Sequence, residues 1–201
     1  MRLVKEENLS WSGRERNRAF VSIKGESFID ASSILNLDFL EDSRSVSKCD
    51  WDNDGHVDVV IRNRNAPRLR VMLNECGKED ECDCNWIKIK LKGDGKKVNL
   101  DAIGTEVTIT GENFIKTQTL MAGSGYLNQN SKTLLFGLRH LKNIDEIKVA
   151  WPNGEHTLIK DLESNQEILI RKDKGLDKAI AIDNAAKIVV SGMRNWLASR
   201  D

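Results

Sequence analysis

Short runs of alternating apolar and polar residues, separated by turn residues, dominate the N-terminal half of the chain. Residues 19–23 and 27–30 are two such runs, and the Lys-Gly-Glu between them predicts a β-hairpin. The β-branched run at residues 57–62 predicts a strand, and residues 69–73 predict another across a turn. Short strands at even spacing are typical of an all-β architecture.

Longer strands are predicted from Trp86 onward. Over residues 87–92 apolar side chains alternate with lysines, so one face should meet a core and the lysines, Lys88 included, should meet water. The pattern recurs around residues 107–109 and 146–151. A Pro-Asn-Gly-Glu turn and a last strand at 166–171 follow, and together these segments predict a small antiparallel sandwich or barrel.

The C-terminal tail changes to a helical period. Its recurring apolar positions are Ile182, Ala186, Val189, Met193 and Trp196 or Leu197. We therefore expect an amphipathic C-terminal α-helix, packed on its own domain in preference to a partner.

Composition indicates a globular protein and excludes some roles. The 201 residues are 39% hydrophobic, and 31 basic side chains balance 31 acidic ones. This balance gives no support for binding nucleic acid or a membrane surface, and no run approaches the roughly 20 apolar residues of a membrane span. The N-terminus lacks the apolar core of a signal peptide, which predicts either a cytosolic protein or an incomplete chain.

An acidic loop carries the most specific chemical signal. Residues 50–58 read Asp-Trp-Asp-Asn-Asp-Gly-His-Val-Asp, with a glycine at the sixth position, where tight wrapping needs unusual φ values. Calcium prefers six to eight oxygen ligands, so this spacing predicts a calcium site. Its expected ligands are Asp50, Asp52, Asp54, the backbone carbonyl of His56, and Asp58.

This loop differs from an EF-hand. The twelfth position is Ile61 where an EF-hand has a bidentate Glu, and a predicted strand follows where an EF-hand has a helix. The loop is therefore expected to lie between strands, and the calcium is expected to have a mainly structural role. The alternative is an acidic turn without metal, because Asp, Asn and Gly are ordinary turn residues.

The four cysteines favour an oxidising compartment. Cys76, Cys82 and Cys84 crowd into one acidic segment, and Cys49 adjoins the calcium loop. A disulfide among the three clustered cysteines is preferred over free thiols. Zinc is a third option, disfavoured because no histidine lies near and the paired spacing is missing.

A polar glycine-rich loop at residues 123–130 is the candidate partner-contact surface. Its candidate residues are Ser124, Tyr126, Asn128, Gln129 and Asn130. The alternative is a loop folded over the end of the sandwich, with its amides satisfying backbone groups. Ser124 is not expected to be a nucleophile, because its flanking glycines do not have the nucleophile-elbow spacing.

Residues 17–20, 25–32 and 49–58 resemble the FG-GAP/VCBS repeat, a β-propeller blade module. In that family the acidic loop binds calcium between blade strands, which the resemblance implies for the four aspartates of residues 50–58. One good copy and a fragment are present, whereas propellers need about four or more blades. The resemblance therefore implies a partial blade that associates with further blades.

Four stretches in the second half resemble the ASPIC/UnbV domain: residues 101–107, 122–130, 135–138 and 147–154. FG-GAP/VCBS repeats commonly precede this domain in cartilage-acidic-protein-like chains, and members are typically secreted or surface-exposed. The resemblance implies an extracellular, periplasmic or cell-surface location. The expected organisation is a lead-in at 1–16, a blade-like repeat at 17–75, a Cys-rich linker at 76–85, an ASPIC/UnbV-like β domain at 86–171 and a helix at 172–201.

These features together predict a non-enzymatic, calcium-binding adhesion or recognition module with a protein or carbohydrate partner. The alternative, motivated by the UnbV name and its link to bacterial pigment handling, is an assembly or maturation factor for a membrane or pigment-protein complex. An enzyme is disfavoured because the histidines at 56, 140 and 156 are far apart and none forms a ligand-spaced pair.

Overall fold

The computed structural model describes residues 15–76 and 84–181. Within these residues the fold is all-β, as predicted, and no helix occurs. The strands are β1 (Phe20–Ile23), β2 (Ser27–Asp30), β3 (Ser43–Cys49), β4 (Asp58–Asn63), β5 (Leu69–Met72), β6 (Asn85–Lys92), β7 (Glu106–Gly111), β8 (Phe114–Thr119), β9 (Leu134–Arg139), β10 (Asn143–Ala150), β11 (His156–Glu163), β12 (Gln166–Arg171) and β13 (Gly175–Ala181).

The described residues divide into two compact units. The first comprises residues 15–47, 60–72 and 125–128, and the second comprises residues 48–59, 73–76, 84–124 and 129–181. The acidic loop therefore belongs to the second unit, together with the strands from β6 to β13.

Two four-stranded sheets build the second unit, in the orders β11-β10-β7-β8 and β13-β12-β6-β9. Both sheets bury their alternating apolar residues in one core, in which Phe136, Ile147 and Ile168 are fully enclosed. Each such side chain contributes about 1.5–3 kcal/mol of burial free energy. This is the sandwich that the alternating pattern predicted, and the described strands form neither a closed barrel nor a propeller ring.

One strand pairing differs from the antiparallel prediction. Strands β6 and β12 lie side by side in parallel, with Ile87 opposite Gln166 and Leu91 opposite Ile170. A parallel pair needs a long crossover connection, and β7 to β11 supply it. Alternation reports which face of a strand is buried and carries no information on the direction of its neighbour, so the sequence pattern could not reveal this pairing.

The first unit contains the predicted hairpin, in which β1 pairs antiparallel with β2. Lys24 and Gly25 at its tip have positive φ values of 51° and 78°. All eight strand residues are exposed, including Phe20 and Phe28. A three-stranded sheet in the order β3-β4-β5 contains the strands predicted around residues 57–62 and 69–73.

The beginning of the C-terminal segment is a strand, which corrects the helix predicted for residues 172–201. Residues Gly175–Ala181 form β13 and pair antiparallel with β12, extending its sheet. The helical repeat that begins at Ile182 lies outside the described residues. No helix in the described part of the chain is long and apolar enough to cross a membrane.

Candidate metal centre

The acidic loop turns tightly between β3 and β4 and packs against β6. Asn53 and Gly55 take positive φ values of 58° and 88°. A Cβ added to Gly55 would lie 2.0 Å from Nε1 of Trp86, so the indole ring occupies the space that a side chain would need. Two independent reasons therefore favour glycine at position 55: its positive φ, and the close approach of the Trp86 ring, which leaves no space for a Cβ.

Three of the predicted ligands converge. Asp50, Asp52 and Asp58 each offer a carboxylate oxygen, and these oxygens lie within 4.8 Å of one another. Asp52 and Asp58 are buried at 6% and 1% exposure, and the side chain of Asp50 is 6% exposed. Among the described residues, these three carboxylates form the group whose ligand atoms lie close enough together to hold one metal ion.

Asp58 also ties the loop to its surroundings. One carboxylate oxygen accepts a hydrogen bond from the backbone N–H of Trp51 at 2.6 Å, and the other accepts one from the N–H of Asn74 at 2.8 Å. Asp58 thus joins the start of the loop to the segment that follows β5, and a metal held there would be coupled to the local fold.

Asp50 forms a buried ion pair with a lysine from β6. Its Oδ2 lies 2.6 Å from Nζ of Lys88 and accepts the N–H of Gly55 at 2.9 Å. The same ammonium donates to Oδ1 of Asn53 at 3.0 Å. Lys88 is only 4% exposed, which corrects the expectation that it faces water. It does point away from the sandwich core, but the acidic loop covers that face of β6.

The carboxylate of Asp54 is not among the three that converge, and the predicted backbone-carbonyl ligand of His56 stays a prediction. Oδ1 of Asp54 accepts the backbone N–H of His56 at 2.9 Å. Burial raises the pKa of Asp54, the hydrogen bond from His56 opposes that shift, and the carboxylates of Asp52 and Asp50 raise the pKa further. The two residues shape the loop around the three-carboxylate group.

The donor set fits a hard divalent cation. All three side chains offer oxygen, and Oδ1 of Asp50 is buried without a hydrogen-bond partner. A buried, unpartnered carboxylate oxygen is costly, and a cation shared with Asp52 and Asp58 would satisfy it. Nothing in this set distinguishes calcium from another hard cation.

One cysteine, Cys49, directly precedes this loop. Cys49, at the end of β3, is a free thiol, and burial raises its pKa, with the carboxylates of Asp58 and Asp50 adding to the shift. Cys84 is disulfide-bonded. Cys76 is exposed, and Cys82 lies outside the described residues.

The loop at residues 123–130 is partly engaged with its own chain. Oδ1 of Asn130 accepts the backbone N–H of Lys48 at 2.9 Å, and Nδ2 of Asn128 donates to the carbonyl of Val46 at 2.6 Å. Tyr126 is 71% exposed, and Gln129 is exposed as well. These two side chains remain open to solvent, as a partner-contact surface requires.

Sequence reasoning missed Trp86 and Lys88, which cover the acidic loop. They occupy alternate positions on β6 and therefore point to the same side, with Nζ of Lys88 5.2 Å from the centroid of the Trp86 ring. A lysine within a strand that alternates with isoleucines is ordinarily solvated. Only the contact with a loop more than thirty positions earlier in the chain reverses that expectation.

Comparison with known proteins gives one family match. The family model described as ASPIC and UnbV matches residues 95–177, which span most of the sandwich. No curated protein matches the chain. A solved structure from Bacteroides uniformis ATCC 8492, described as a proposed cell adhesion protein, matches at 12% identity and a TM-score of 0.27, covering 70% of this chain and 91% of that one.

Proposed function

We propose that this protein is a non-enzymatic β module whose acidic loop is stabilised by bound calcium and whose role is to recognise a partner outside the cytoplasm. One observation carries the metal part of the proposal. Three buried carboxylates converge, and one of their oxygens, Oδ1 of Asp50, has no hydrogen-bond partner.

Calcium suits this loop better than magnesium. The ligands come from one short loop with two positive-φ residues, and calcium accepts irregular oxygen cages, whereas magnesium demands a near-ideal octahedron. The acidic spacing of the sequence, with its resemblance to the calcium loop of FG-GAP/VCBS repeats, supports the same choice. Asp50, Asp52 and Asp58 would hold the ion. The ion would supply positive charge that lets these carboxylates remain ionised close together.

The surface of the first unit supports a protein partner. All eight residues of the β1–β2 strands are exposed, and Phe20 and Phe28 are 61% and 70% exposed. Contiguous exposed apolar side chains of this kind commonly mark association surfaces. Further propeller blades, as the FG-GAP/VCBS resemblance implies, are one such partner. The ASPIC/UnbV match supports the same reading of a surface or secreted module.

Thermal unfolding with and without calcium tests the metal site. At a calcium concentration of about 50–100 times Kd we expect a gain of about 2–3 kcal/mol, equivalent to a rise in Tm of about 5–10 °C. Asp52→Ala should abolish this rise, and Asp54→Ala should reduce it less. Asp145→Asn, a change at an exposed carboxylate on β10, is the control and should leave it unchanged.

The competing outcomes are distinct. Equal Tm values for the wild-type protein in calcium and in chelator would contradict the metal site. An equal rise with magnesium would contradict the choice of calcium. Catalytic turnover lost on substitution of Asp54 or His56, with the fold intact, would contradict the non-enzymatic assignment.

A further inference from the structure

A cavity of about 850 Å³ opens in the second unit between the edges of its two sheets. Strand β8 is the edge of one sheet and strand β9 is the edge of the other. Both strands contribute to the walls, together with the acidic loop and six residues between the two strands: Leu120, Met121, Ser124, Asn130, Ser131 and Thr133. The volume lies within the range of small-molecule sites, about 300–1,000 Å³.

The lysines around this cavity leave two positive charges without partners. Lys88 is paired with Asp50 and Lys90 with Glu167, each at 2.6 Å. Lys48 and Lys116 also line the cavity, and among the described residues neither has an ion-pair partner. The side chain of Lys116 is exposed, yet surrounding protein lowers its pKa, and the Arg139 guanidinium adds to that shift. A bound anion would relieve this unbalanced charge.

A hydroxyl on the cavity wall lacks a hydrogen-bond partner. Oγ of Ser124 is buried and forms no hydrogen bond with the protein. An unsatisfied buried hydroxyl costs about 1–3 kcal/mol, so such groups usually meet a ligand or a water molecule. The amide of Gln118, which also lines the cavity, already has a partner, because its Nε2 donates to the carbonyl of Leu135 at 2.8 Å.

One part of the wall is aliphatic, and polar side chains such as Thr119, Asn130 and Thr133 line other parts of the cavity. Leu120, Met121, Leu134 and Leu135 line the cavity, and no aromatic side chain of the described residues does so. Sugar rings are commonly held against aromatic faces, and nucleobases require them for stacking. An aliphatic body carrying one anionic group matches these walls better than a sugar or a nucleotide.

We propose that this cavity binds an aliphatic carboxylate, with the carboxylate between Lys48 and Lys116, accepting a hydrogen bond from Ser124, and the hydrocarbon body against Leu120 and Leu134. This inference rests on the proposed recognition role and names its ligand class, but it does not depend on the metal. The ion pair between Lys88 and Asp50 offsets one negative charge of the acidic loop beside the cavity, which weakens the repulsion of a ligand carboxylate there.

Titration of the full chain followed by amide NMR shifts tests the proposal, with sodium hexanoate as the probe. We expect saturable binding with shifts concentrated in residues 116–124 and 130–137. Hexan-1-ol, which has the same body without charge, and sodium sulfate, which has charge without the body, should each bind at least tenfold more weakly.

Single variants assign the contacts. Lys116→Gln and Lys48→Gln should each weaken hexanoate binding at least fivefold, and Ser124→Ala should weaken it about threefold. Lys148→Gln, at an exposed lysine of β10 that does not line the cavity, is the matched control and should have no effect.

The proposal would be overturned by hexan-1-ol binding as tightly as hexanoate, by sulfate binding as tightly as hexanoate, or by the cavity variants behaving like Lys148→Gln. Repeating the titration in chelator separates this inference from the metal site. If hexanoate fails to bind although calcium raises the Tm of the same protein, the cavity ligand is rejected and the metal site is not.

Discussion

Lys88 and Asp50 form an ion pair at 2.6 Å in which the two side chains are only 5% and 6% exposed. The lysine also contacts Asn53, so an internal ammonium lies against the same loop that would bind the metal. It satisfies Oδ2 of Asp50 and leaves Oδ1 for another cation. Lys88 therefore partly neutralises the loop when no metal is bound, and its charge opposes metal binding.

Lys88→Met should have opposite effects on the metal-free and metal-bound protein. Removing one partner of a buried ion pair leaves an uncompensated carboxylate, so the free energy of unfolding in chelator should fall by about 3 kcal/mol. Calcium affinity should rise at least tenfold, because a nearby positive charge is lost. Chemical denaturation and calorimetric titration measure the two effects.

Lys90→Met provides the control for this experiment. Lys90 lies two positions further along β6 and pairs with Glu167 at the same distance, but its side chain is 51% exposed. An exposed pair contributes about 0–1 kcal/mol, so this variant should unfold nearly as the wild type does. Equal behaviour of the two variants, or weaker calcium binding by Lys88→Met, would show that Lys88 does not compete with the metal.

Local pattern predicted the faces of the strands well and their partners poorly. The hairpin at Lys24 and Gly25, the turn at residues 152–155 and the apolar face of β6 all follow from spacings of a few residues. The three converging aspartates likewise lie within nine residues. Alternation also placed Lys88 correctly on the face opposite the core.

What pattern could not supply were contacts between distant segments. The packing of Trp86 on Gly55, the pairing of Lys88 with Asp50 and the parallel alignment of β6 with β12 each join residues far apart in the chain. Such contacts depend on which elements meet, and a single sequence carries no local signal for that. The strand at Gly175–Ala181 was missed because the stronger helical period further along was extended back over it.

Gly55→Ala should destabilise the second unit by about 3 kcal/mol or more. A methyl group would overlap the Trp86 ring, and the positive φ adds about 1–2 kcal/mol of strain for any residue with a Cβ. Gly154→Ala separates the two causes, because Gly154 has a similar φ of 83° and no atom within 4 Å of the added Cβ. Gly154→Ala should therefore lower the free energy of unfolding only by the backbone strain, about 1–2 kcal/mol. Equal losses in the free energy of unfolding would mean that the Trp86 contact has no energetic role.

Asp94 should make stability depend on pH in the acid range. Its Oδ1 accepts the backbone N–H groups of Lys96, Lys97 and Val98, each at 2.9 Å, and these bonds lower the pKa of the carboxyl, with the Val98 contribution the largest. A carboxyl whose pKa is lower in the folded state stabilises the fold above the unfolded-state value, near 3.8. That stability is lost as pH falls through the folded-state pKa.

Asp94→Asn tests this dependence, because the amide oxygen can still accept the three N–H groups but does not titrate in this range. The variant should lose less stability than the wild type between pH 5 and pH 2.5, as measured by urea unfolding at a series of pH values. Parallel curves for the two proteins, offset by a constant amount, would assign the acid dependence to other groups.

Thr105→Val should stabilise the protein, by about 1 kcal/mol. Thr105 is fully buried, and its Oγ1 has no hydrogen-bond partner, so valine replaces an unsatisfied hydroxyl with a methyl group of similar shape. Thr157→Val is the matched opposite case. Oγ1 of Thr157 accepts Nε1–H of the buried Trp151 at 2.8 Å, and losing it should cost about 1–3 kcal/mol. Equilibrium urea unfolding gives both values, and a destabilised Thr105→Val would show that its hydroxyl is satisfied in solution.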